Sequence, residues 1–238
     1  MIDLKTFSRL KNIFSRLNPI PSFKLDEPEE EIIIPPSSRE LLEKVIEHYP
    51  EFQHVFLIAI YHLINTQNVQ NEYLTVLTKN RVLIADLIKG NDNNVTPPSH
   101  VKKEGKKNNI LIACHNHYFG AVIPSFGDIY NAIENNCQFF AIVSENHIGM
   151  VVIENDSDSH KKSIDEFVLF HGYIDICFNY ERHDELSQVD SLQIKGYEKE
   201  KLKLEIYDKF LSENSEKFVN EFNIRFNKFK IYEIYIKL

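Results

Sequence analysis

Two histidines separated by one residue, His115-Asn116-His117, close an apolar run that begins at Ile110, and Ser125 and Asp128 follow shortly after. Residues at i and i+2 of a strand point to the same face, so the two imidazoles can converge on one ion at the strand's end. Ser125 and Asp128 stand three apart at an expected helix start and therefore share a face one turn apart. Asp128 can then add an oxygen ligand to two nitrogens. Three protein ligands leave the fourth position of a tetrahedral zinc ion to water, as in catalytic rather than structural sites. A histidine pair at this spacing also arises by chance, and it is the serine and aspartate at fixed distance that make it a candidate centre.

Several elements must position these groups. The run 110–114 reads as a buried strand, and Ser125 is the expected cap of a helix over 126–135. Strands are expected at 73–77, 82–88, 139–143 and 148–153, with Lys79-Asn80 as a hairpin turn between the first two. Upstream, Ser37 stands three residues before Glu40 and is the expected cap of a helix that Pro50 ends, and a buried helix follows over 51–65. Pro97 and Pro98 open a segment with room for a helical turn. Residues 156–191 mix apolar and polar types without a steady period, 195–229 suits one or two long helices, and 230–238 alternates like a strand. The expected fold is α+β, close to α/β, with a mixed sheet flanked by helices and with helical N- and C-terminal extensions. Its expected divisions are 1–36 as an amphipathic helix and linker, 37–155 as the metal-binding domain, and 156–238 as a helical extension.

The spacing H-x-H, seven residues, S-x-x-D resembles the signature of the JAMM or MPN (JAB) metalloprotease superfamily. The wording His-Asn-His, Pro-Ser and Asp is most similar to its RadC branch. The likeness extends upstream to Glu72-Tyr-Leu-Thr-Val-Leu-Thr-Lys-Asn-Arg-Val-Leu-Ile-Ala-Asp-Leu-Ile-Lys-Gly and covers about 72–153. The resemblance implies His115, His117 and Asp128 as zinc ligands, Ser125 as the hydrogen-bond donor to an oxyanion, and Glu72 as general base. The chemistry also asks for a carboxylate to accept the water's proton and pass it to the leaving nitrogen. Asp86 and Glu104 are the rivals for that role; Glu72 is preferred because it opens a strand that can pair beside the histidine strand. One position departs from the family: Tyr118 stands where a proline normally follows the second histidine, which leaves that loop less constrained.

The implied function is zinc-dependent hydrolysis of a peptide or isopeptide, such as removal of a ubiquitin-like modifier. Two alternatives stand beside it: a non-catalytic JAB-fold interaction module, and a RadC-like nucleic-acid-associated protein. The formal charge of −8 over 238 residues gives nucleic acid no general attraction. Three cysteines, Cys114, Cys137 and Cys177, without a paired motif, fit a reducing, cytoplasmic setting. No apolar stretch approaches a membrane span, the longest being 55–64. At the start, Ile2, Leu4, Phe7, Leu10, Ile13, Phe14 and Leu17 alternate with Lys5, Arg9, Lys11 and Arg16 as a basic amphipathic helix, followed by a proline-rich acidic linker. Alternation turns Cys114 away from the histidine face, so it reads as structural. His147 has a route to the site from the next strand, although a surface or turn position is the preferred reading. The cluster Lys102, Lys103, Lys106 and Lys107 reads as a solvated loop.

Overall fold

The computed structural model describes residues 33–66, 71–78, 83–91, 95–107, 111–117, 122–144, 147–153, 160–226 and 229–236. Among them, in chain order, are α1 (Pro36–His48), α2 (Phe52–Thr66), β1 (Tyr73–Thr78), β2 (Leu83–Lys89), α3 (Ser99–Lys106), β3 (Leu111–Asn116) and α4 (Phe126–Glu134). These are followed by β4 (Cys137–Ser144), β5 (His147–Ile153), α5 (His160–Glu181), α6 (His183–Ser191), α7 (Gly196–Glu213), α8 (Ser215–Arg225) and β6 (Phe229–Tyr235). The expected helix at the start and its linker up to residue 32, the Lys79-Asn80 turn and Tyr118 lie outside the described residues.

The strands form one sheet in the order β2-β1-β3-β4-β5-β6. Every neighbouring pair is antiparallel except β3 and β4. A parallel pair needs a crossover, and α4 provides it. That crossover starts where the histidines end β3 and carries Ser125 and Asp128, so the candidate ligands lie at the carboxyl end of a parallel strand, a usual place for sites in such units.

Both faces of the sheet are covered. Ile112, Cys114, Phe139, Ala141, Ile148 and Met150 pack beneath α1 and α2, whereas Leu111, Phe140, Ile142 and Val151 pack beneath α3, α4, α5, α7 and α8. Burial on two sides explains why the inner strands read as nearly unbroken apolar runs. The architecture is therefore α+β, a mixed sheet flanked by helices. No helix among the described residues is long and apolar enough to cross a membrane.

Three local expectations are corrected. Strand β3 does not stop at Cys114: His115 pairs with Leu74 on one side and Ile142 on the other, and the ladder runs to Asn116. Ser37 does not cap α1, because Pro35 occupies the cap position and Pro36 opens the helix with a φ already suited to it; Ser38 Oγ instead accepts the Tyr235 N–H at 3.1 Å. The stretch without a period is the helices α5 and α6. On α5, Phe167, Phe170, Ile174 and Phe178 are buried, yet Leu169 is 74% exposed, Ile176 69% and Tyr180 86%. Apolar residues on both sides of a helix erase the amphipathic signal.

Gly149 lets the chain approach the sheet closely just before Ser125. A Cβ there would meet Val122 O at 2.6 Å and Val122 Cβ at 2.7 Å. Gly149→Ala is expected to cost about 1–3 kcal/mol through overpacking, read as a lowered urea midpoint. An unchanged midpoint would contradict this packing of the 122–125 segment on β5.

Candidate metal centre

The sequence-derived ligands meet. His115 Nε2 lies 3.1 Å from His117 Nε2 and 3.1 Å from Asp128 Oδ1, and His117 Nε2 lies 3.4 Å from Asp128 Oδ2. One ligand atom from each residue falls within 4.8 Å of the others. Ligands about 2.0–2.1 Å from a tetrahedral ion stand roughly 3.3 Å apart; the two imidazole nitrogens already have nearly that spacing, and the set of three could hold a metal ion. The side chains of His117 and Asp128 each keep 18% of their surface exposed, which leaves one side of the cluster open to solvent.

Each ligand is fixed by its element. His115 is held in the centre of the sheet by the ladders to β1 and β4, and the His117 N–H donates to Val143 O at 2.9 Å, extending that order by one residue. Asp128 belongs to a capping box at the start of α4: its own N–H donates to Ser125 Oγ at 3.2 Å, and the Ser125 N–H donates to Asp128 Oδ2 at 2.7 Å. Burial alone would raise the Asp128 carboxyl, but His115 and His117 beside it outweigh that and hold it well below the usual carboxylate range. With its oxygen accepting the Asp128 N–H, the Ser125 hydroxyl still has its own hydrogen to donate.

Glu72 immediately precedes β1. Leu74 lies opposite His115, and alternation places Glu72 on the same face. Burial raises the Glu72 carboxyl; His115 and His117 oppose that shift, Asp128 adds to it, and the Val95 N–H donates to the carboxylate. The two rivals sit elsewhere. Asp86 accepts the Tyr61 hydroxyl at 3.1 Å, on the α2 side of the sheet, and Glu104 pairs with Lys107 at 2.6 Å on α3. His147 bonds Glu233 at 2.8 Å between β5 and β6, apart from the ligands, and Cys114 is fully buried in the core under α2.

Sequence reasoning passed over the residues that hold Glu72. Asn116, between the two ligands, points to the opposite face and grips the chain on both sides of Glu72: its Oδ1 accepts the Tyr73 N–H at 2.7 Å and its Nδ2 donates to Asn71 O at 3.0 Å. His62 Nε2 lies 3.3 Å from the same Oδ1, and His62 Nδ1 lies 3.2 Å from Thr75 Oγ1. Burial pushes the His62 imidazole down to about 3, so it is neutral. The network then assigns Nε2–H as donor to Asn116 and Nδ1 as acceptor from the Thr75 hydroxyl, whose oxygen takes the Leu87 N–H at 3.2 Å. Leu87 has a φ of 43° and lies where the β1–β2 register slips, so this bulge also belongs to the frame. Alternation along β3 was the available signal for Asn116; no local pattern pointed to His62.

Two residues of the C-terminal segment also reach the centre. His171 on α5 hydrogen-bonds Pro124 O through Nε2 at 3.1 Å, next to Ser125, and its ring lies 4.7 Å from that of Phe167. On α7, burial pushes the Asp208 carboxyl up to about 6, with His117 pulling it down and Glu205 adding to the rise. A carboxyl raised from its ordinary 3.8 stabilises the folded chain fully below that value, and the contribution is lost as pH rises through about 6. In the metal-free chain, Asp208→Asn is therefore expected to be more stable than the parent at pH 8, by about 1 kcal/mol after allowance for solvent screening, and equal to it near pH 4. Urea denaturation at the two pH values checks this, and a difference independent of pH would contradict it.

The chain matches no family model, and comparison with curated proteins and with solved structures finds no significant similarity.

Proposed function

We propose that this chain is a zinc-dependent hydrolase of the JAMM type that cleaves a peptide or isopeptide bond. The observation that carries the reading is the convergence of His115, His117 and Asp128 within 4.8 Å, with one side of the cluster open. Two nitrogens and one carboxylate oxygen form the donor set of a catalytic rather than a structural zinc site. A bound zinc ion would supply Lewis acidity, polarising the substrate carbonyl and lowering the pKa of a water to about 7.

The remaining work falls to the chain's own groups. Glu72 takes the proton from the attacking water and returns it to the leaving nitrogen, and its raised pKa suits both transfers. The Ser125 hydroxyl donates to the oxygen that gains charge. Asn116 and His62 keep Glu72 in register with the ligands. The reading agrees with the resemblance to RadC-like sequences over 72–153, which the same residues carry.

A second reading, a non-catalytic interaction module of the same fold, is favoured by one observation: the exposed apolar stripe Leu169, Ile176 and Tyr180 along α5. Glu72→Gln separates the two. As a hydrolase, the variant is expected to keep its zinc and lose about 10²–10⁴-fold in turnover of a peptide or isopeptide library, measured alongside the chelated parent. A parent chain that holds zinc and cleaves nothing, with Glu72→Gln indistinguishable from it, would favour the interaction module.

A further inference from the structure

A cavity of about 60 Å³ adjoins the candidate ligands. His115 and Asp128 form one part of its wall, Asn131 and Asn135 add polar groups along and just after α4, and apolar residues such as Val76, Val101, Ala132 and Phe140 line it between the sheet and the helices α3 and α4. Val95 and Pro97, half-buried in the segment before α3, also border it, and the Val95 N–H is the donor to Glu72. The space therefore lies where the metal ligands, the general base and an apolar pocket come together. The pocket is partly open to solvent, so a group of a bound chain has a way into it. Its position against two ligands gives it a use.

We infer that this cavity is a substrate subsite that receives a small aliphatic side chain on the acyl side of the scissile bond. The inference rests on the hydrolase reading and names its substrate class: chains with an alanine- or valine-sized residue at the cleavage point, rather than chains ending in consecutive glycines. Three features support the assignment. The acyl residue's side chain branches one bond from the carbonyl carbon, so a scissile carbonyl placed beside the ligand cluster brings it to the mouth of the cavity. The lining is mostly apolar, so it rewards burial of methyl groups, and the Asp128 carboxylate on its wall disfavours an acidic side chain. The volume takes a few methyl-sized groups and is too small for an aromatic ring.

The experiment uses the zinc-loaded full chain and a series of N-acetylated hydroxamates of glycine, alanine, valine, leucine and phenylalanine, which chelate zinc and need no turnover. Calorimetry is expected to show affinity rising about fourfold per added methyl or methylene carbon from glycine to valine and falling back at phenylalanine. Ala132→Leu, which fills the cavity, is expected to flatten the series. Val101→Ala, which enlarges it, is expected to move the optimum to leucine, and this gain keeps the test decisive if the first variant folds poorly. Zinc retained with a flat series in the parent, or a series that neither variant alters, would overturn the subsite alone. A chain that retains no zinc would overturn the metal reading and the subsite together.

Discussion

The alternation of side chains along β3 is the constraint on which the site depends. In three successive positions the strand sends His115 to the α4 face, Asn116 to the α2 face, and His117 back towards Asp128. The first and third residues converge on a common point, while the second secures the segment that carries Glu72. A slip of one residue would exchange the two functions and place imidazoles in the apolar core beneath α2. Pairing on both sides, with β1 in antiparallel and β4 in parallel register, is what excludes that slip.

Around this strand, each layer contributes something different. On the α2 side, neutral His62 lies in a closed chain of hydrogen bonds that runs from Leu87 through Thr75 to Asn116. In a dry interior such a network is stable only when every member is satisfied, and here it ties the β2 bulge, β1 and β3 into one frame. On the other side, the start of α4 brings Asp128 to the histidines, and the capping box fixes the carboxylate before any ion arrives. The helix N-terminus favours that negative charge as well. The same carboxylate thus serves the helix through one oxygen and can serve a cation with the other. From α5, His171 braces the Pro124 carbonyl next to the cap.

Much of this was legible because it is local. The H-x-H spacing, the Ser125 cap and the inner strands are short patterns whose geometry follows from the strand and helix periods, and they lie where those periods place them. Contacts spanning long stretches of chain were not legible. His62 joins Asn116 across 54 positions and His171 joins Pro124 across 47, and nothing in the neighbourhood of either histidine announces its partner. The helix α5 escaped for a different reason: its buried phenylalanines share the helix with exposed Leu169, Ile176 and Tyr180, so hydropathy carries no period there. The start of α1 was misplaced by one motif, since a serine three residues before a glutamate reads as a cap, while two prolines set the helix start instead.

Everything proposed for this chain requires that His115, His117 and Asp128 form an open, three-ligand zinc centre. X-ray absorption at the zinc edge on the full chain loaded with one equivalent of zinc tests it most directly. The spectrum is expected to show two imidazole nitrogens and two oxygens at about 2.0–2.2 Å, one of those oxygens from solvent, and no sulfur, with the bound ion lost in His115→Ala. A sulfur ligand, or zinc held equally well after that substitution, would contradict it.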